Sequence, residues 1–260
     1  PISPSASGVF SMGKLIKAEW YKLKIDRSFW FLTLFLLTFS LMYPLLLQSG
    51  EGMSGNDFYR GHILSINTDI VKLFPAILAG FFIANEYSLG TMKSIVSSGN
   101  SRIKLYLAKL FVFSIGTIII LLILPIFMMS SSAVYMDFTV MLDWKFYFQT
   151  IGLISLYAAA FASIMAFFST ILTESGKAIG FLILFLALIG SLLDFISGKF
   201  PLLEPMITRS VFMSQGGILA IDQIGHWNSD DVFTFIIVPI LTFIVFGILG
   251  ALLYSKKEIK

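Results

Sequence analysis

Six apolar runs, each close to the length that crosses a bilayer, dominate this chain. They cover Phe29–Gln48, Thr68–Asn85, Leu110–Met129, Phe148–Leu172, Ala178–Phe195 and Val232–Tyr254. A helix of about 20 residues spans the ~30 Å hydrocarbon core. Inside that core every backbone N–H and C=O must be satisfied internally, which restricts such runs to helices. Of the 260 residues, 57% are hydrophobic and only 13% charged, against about 25% charged in soluble domains. The expected fold is an all-α integral membrane protein, with one transmembrane domain over 12–260.

The cations set the orientation. Lys14, Lys17, Lys22, Lys24, Arg27, Lys93, Arg102, Lys104, Lys109, Lys177, Lys256, Lys257 and Lys260 fall on one side of the spans. Only Arg60, Lys145, Lys199 and Arg209 fall on the other. An excess of Lys and Arg marks the cytoplasmic side, so both termini are expected inside. Pro1–Ser11 has neither a basic n-region nor an apolar core, which excludes a signal peptide there. With Met12 as a natural start, residues 1–11 read as a short tail or a cloning scar.

Several chemistries are excluded. The chain has no Cys, hence no disulfide framework and no thiolate nucleophile. His62 and His226 are its two imidazoles, too few for a His-rich metal site. The Gly-Lys pairs at 176–177 and 198–199 lack the earlier Gly and the following Ser or Thr of a phosphate-cradling loop. His-Glu-x-x-His and Gly-x-Ser-x-Gly are absent. The expectation is no catalytic residues, no metal, no cofactor in this chain and no nucleic-acid partner.

Between the second and third spans lies a polar island of some two dozen residues. It opens with Glu86-Tyr-Ser-Leu-Gly-Thr-Met-Lys93 and continues through Ser101-Arg102 to Lys109. A membrane hairpin needs only a few loop residues, so this length calls for a reason. One reading is a basic loop whose cations hold it in the cytoplasm. The other is a docking element. In it Glu86 caps or orients a short helix, Gly90 lets the backbone turn, Thr91 caps the next piece, and Met92, Ile95 and Val96 offer an apolar face. Lys93, Arg102, Lys104 and Lys109 then meet headgroups or acidic groups of a partner.

This island resembles the cytoplasmic coupling segment in membrane subunits of type-2 ABC exporters. There a Glu-x-x-x-Gly-Thr run closes one span, and a Ser-Arg followed by Lys opens the next. Lys17-Ala-Glu-Trp-Tyr-Lys22 resembles the N-terminal segment of the same permeases. In it Lys17, Glu19, Trp20 and Lys22 belong to an interfacial helix, whose basic and aromatic sides suit the headgroup boundary. The resemblance implies a coupling helix between spans two and three and short re-entrant helices between spans five and six. It implies a separate ABC ATPase subunit that binds ATP and Mg, and a second copy of this permease or a homologous one. It also implies a bacterial cytoplasmic membrane and export of an amphiphile such as an antimicrobial peptide, drug or lipid-like molecule.

Two more features bear on transport. Asp69 and Lys72 lie three apart on one helical face, with Lys72 about 21 Å from Glu86 along the helix. They are either a snorkelling pair near the outer interface or lining for an exit pathway, since intramembrane charges usually face a cavity. The segment Ile196–Asp231 is too long for a turn and too apolar for a solvated loop. Two other functions stay open at this point: an ion-coupled carrier using Asp69 and Lys72, and a non-transporting sensor or scaffold whose segment 196–231 holds a ligand.

Overall fold

The computed structural model describes residues 11–47, 53–88, 101–172, 174–221 and 223–256, and these are helical with no strand among them. A first helix, α1 (Met12–Ile25), precedes six that are long and apolar enough to cross a membrane. These are α2 (Arg27–Leu46), α3 (Gly55–Ala84), α4 (Arg102–Tyr135), α5 (Trp144–Ile171), α6 (Ser175–Lys199) and α9 (Ser229–Lys256). One further turn, Asn85–Ser88, continues α3. Between α6 and α9 run two short helices, α7 (Glu204–Thr208) and α8 (Val211–Ser214), with 3-10 turns at Gln215–Leu219 and Ile224–His226.

The six spans stand where the apolar runs put them, but α3 and α4 are longer. Gly55–Asn67, expected as loop, is helix from its first residue. Ser54 provides the reason: its hydroxyl accepts from Asp57 N–H at 3.1 Å and donates to the Asp57 carboxylate at 2.6 Å. Gly55 N–H also donates to Val140 O at 2.8 Å, and a Cβ there would stand 2.8 Å from Leu142 N. Only glycine permits that approach. At the other end of the hairpin, the serines after Met129 extend α4 to Tyr135 by bonding back onto their own helix, as Ser132 does to Met129 O at 2.9 Å.

α5 forms the centre of the bundle, against α9 and α4. Its small residues Ala158, Ala160, Ala162 and Ser163 are fully buried, which lets neighbouring helices close in. α9 answers with Gly247 and Gly250, whose missing side chains make room for Leu110 and the Tyr106 ring of α4.

Proline inside a span frees a carbonyl that the helix cannot bond, and at two of the four such prolines, Pro125 and Pro44, a partner for it is seen. Four residues before Pro125, Leu121 O accepts from the buried Asn67 amide at 2.7 Å. Four residues before Pro44, Ser40 O accepts from the Ser131 hydroxyl at 2.9 Å. In each case a neighbouring helix supplies the missing donor, the condition for proline in a membrane helix.

The segment between α6 and α9 is strapped to the end of the bundle where α3 begins. Arg60 of α3 donates to Leu219 O at 2.7 Å and Ile221 O at 3.2 Å, its guanidinium 4.0 Å from the Phe146 ring centre. Gln149 accepts from Ile224 N–H at 2.8 Å, and Gln223 donates to Asp143. The opposite end holds α1, the start of α4 and the end of α9, where Arg102 donates to Ser255 O at 3.3 Å. This is the basic end of the bundle.

Candidate functional site

At the basic end four charged side chains from three elements close into a ring. α1 offers Glu19 and Lys22, the turn after α3 offers Glu86, and α4 offers Lys109. Lys109 Nζ lies 2.7 Å from Glu19 Oε2 and 2.8 Å from Glu86 Oε2. Lys22 Nζ lies 2.7 Å from Glu19 Oε1 and 3.0 Å from Glu86 Oε1. Positive and negative groups therefore alternate, and the ring carries no net charge.

Each helix presents its charge for a local reason. α1 buries Leu15, Glu19 and Leu23, one stripe at four-residue spacing. Glu19 thus sits on the apolar face, and Lys22, three residues on, reaches the ring from the half-exposed flank. Lys109 stands among Leu105, Tyr106, Ala108 and Leu110, all buried. Its side chain is 1% exposed, and its Nζ lies 4.8 Å from the Phe82 ring centre. The neighbouring Tyr254 of α9 is also buried, within 5.7 Å of Tyr106 ring to ring.

The electrostatics follow from that enclosure. An isolated buried ion is prohibitively costly, so buried charges come paired. Burial pushes the Glu86 carboxyl up, but the nearby Lys109 and Lys22 ammonium groups together outweigh it and hold the group below the usual carboxylate range. Each carboxylate oxygen of Glu19 takes a different lysine, so this residue ties α4, through Lys109, to its own helix, through Lys22.

The ring joins residues that the sequence reading kept apart. Glu19 and Lys22 were expected in an interfacial helix and Glu86 in a docking element. Lys109 was expected to meet headgroups or a partner; instead it is buried and fully engaged within its own chain. Burial is the reason, since α4 starts at Arg102 rather than Leu110 and draws Lys109 into the bundle. The signal was present: a Lys flanked by apolar residues on both sides, and a Glu on the Leu15–Leu23 stripe.

The other expected site residues are placed less centrally. Lys17 is exposed, and Trp20 is half-buried with Lys24 Nζ 5.8 Å from its ring centre. Arg102 is held at the end of α9. Gly90, Thr91, Met92, Lys93, Ile95 and Val96 lie outside the described residues. Asp69 and Lys72 stand 3.9 Å apart, Asp69 with its side chain 83% exposed.

Against known families, a match covers residues 15–191, described as ABC-2 family transporter protein. The chain belongs to this family. All four ring residues fall inside the matched stretch. Together with six membrane-length helices, the match makes this ABC-2 family protein a multi-pass membrane component of a transport system. No curated protein matches the chain.

Proposed function

We propose that this chain is the permease subunit of an ABC exporter, moving an amphiphilic substrate outward with energy from a separate ATPase subunit that binds ATP and Mg. Family membership supports the ATPase partnership. The observation that carries the mechanism is the ion ring. It ties the end of α3 and the start of α4, the two ends of the 89–100 segment, to α1. A push on that segment by a closing ATPase is then delivered to three elements at once, because buried ion pairs hold a fixed geometry that a lone loop lacks. A second permease copy completes the pathway. α6 is the least covered of the spans, with Leu184, Leu188, Leu192 and Phe195 all exposed. The membrane is the bacterial cytoplasmic membrane, with both termini inside.

The test is co-purification from native membranes. The expected result is an ABC ATPase recovered with the chain, and export that stops when ATP is depleted. Recovery of the chain alone, with transport that survives ATP depletion and collapses with the proton gradient, points to the ion-coupled carrier instead.

A further inference from the structure

Lys72 of α3 does not serve only its neighbour Asp69. It lines a cavity of about 220 Å³ between α3, α5, α6 and α8, and the same cavity is lined by Asp194 and Ser191 of α6, by Gln215, and by Phe161 and Phe212. Asp194 is exposed on a helix whose neighbouring residues Leu192, Leu193, Phe195 and Ile196 are apolar, and its carboxylate has no ion pair or hydrogen bond among the described residues. Gln215 is 4% exposed; its amide nitrogen donates to Thr68 O at 2.9 Å, which leaves its Oε1 as an acceptor. Phe161 and Phe212 pack edge to face at 5.8 Å.

We propose that this cavity binds the zwitterionic headgroup of an amphiphile, of the phosphoethanolamine type. Lys72 takes the anion, and Asp194 with Gln215 Oε1 and Ser191 takes the primary ammonium. The reason is the charge layout. Lys72 and Asp194 face one cavity yet form no ion pair with each other: Asp194 still calls for a positive charge, and Lys72, held only at 3.9 Å by an Asp69 whose side chain is 83% exposed, has donors left for a second anion. A charge at this depth usually faces a cavity or a pathway, and a ligand bearing both signs satisfies both walls at once. The acceptor set also selects among zwitterions. An ammonium with three N–H groups can donate to a carboxylate, an amide oxygen and a hydroxyl, whereas a trimethylammonium donates to none. The two phenyl rings give an apolar wall for the start of the acyl chain. Asp194 lies beyond the stretch that the family matches.

The inference deepens the exporter reading by naming a substrate class, but binding is measured without any ATPase. The intact chain in maltoside micelles is titrated by native mass spectrometry with dihexanoyl phosphatidylethanolamine. The same series uses the phosphatidylcholine and phosphatidylglycerol analogues, hexylamine and glycerophosphoethanolamine. The expected result is at least tenfold tighter binding of the phosphatidylethanolamine than of any other probe. Lys72→Gln and Asp194→Asn each lower it tenfold or more, Lys199→Gln leaves it unchanged, and the swap Lys72→Asp with Asp194→Lys restores most of it. Equal binding of all four amphiphiles, or binding that ignores both substitutions in monodisperse protein, overturns the proposal. Equal binding of glycerophosphoethanolamine overturns its amphiphile half. Either failure leaves ATP-driven export standing, and a failed ATPase co-purification leaves the binding result standing.

Discussion

Lys109 is the residue on which the basic end depends most. It has two carboxylate partners and almost no contact with solvent. Removing one partner from a buried pair costs about 3–5 kcal/mol, because the remaining charge stays buried. Lys109→Met is therefore expected to lower thermal stability sharply, with two acids left to share Lys22. Adding Glu19→Gln removes the surplus acid and leaves Lys22–Glu86 as a balanced pair, so the double variant should recover most of the loss. A double-variant stability series in detergent checks this, and a double variant no better than the single one would refute the ring's charge balance. Acid provides a second probe. The folded Glu86 carboxyl titrates below its unfolded value of 4.5. Its contribution to stability is thus fully present above that pH and is lost as pH falls through the depressed folded value. Melting of the wild type should weaken more steeply below pH 4.5 than melting of Glu86→Gln; parallel curves would count against the assignment.

At the scale of elements, proline placement decides which helices must touch. Pro125 frees Leu121 O, and the buried Asn67 of α3 is the donor that answers it. A carbonyl left unsatisfied in a buried site costs about 1–3 kcal/mol. Asn67→Ala should destabilise by that order in the natural background. It should cost much less with Pro125→Ala, where the helix restores its own N–H. The coupling in a double-mutant cycle is the measurement, and additive effects would sever the link between amide and proline. A Pro in an apolar run is legible in sequence, and so is the need for a donor. The identity of the donor is not, because Asn67 and Leu121 meet only after α3 and α4 pack.

At the scale of the whole molecule, what could be read was whatever a single helix decides alone. Six apolar runs became six spans because lipid imposes the helix on each independently. The ring was not legible, since Glu19, Glu86 and Lys109 come from distant parts of the chain and share a site only in three dimensions. The extent of α3 was missed because the Gly-rich stretch before it resembles loop, until Val140 and Leu142 fill the space beside Gly55. The arrangement that remains to be closed is the exposed side of α6. Its apolar face meets either lipid or a second copy, and the chain offers a clean way to separate these because it has no Cys. A thiol introduced at Leu188, 56% exposed on α6, has only its counterpart in another copy to oxidise with. A thiol at Phe127, 42% exposed on α4, reports collision between copies that do not share that face. If two copies pack through α6, Leu188→Cys in native membranes should give a disulfide-linked dimer under mild oxidation, reversed by reductant, while Phe127→Cys stays monomeric. Disulfide geometry requires Cα atoms within about 7 Å, so an α6 face turned to lipid cannot give an efficient bond. Equal cross-linking at both positions, or none at Leu188 and its neighbours Leu184 and Leu192, would place the second copy elsewhere on the bundle.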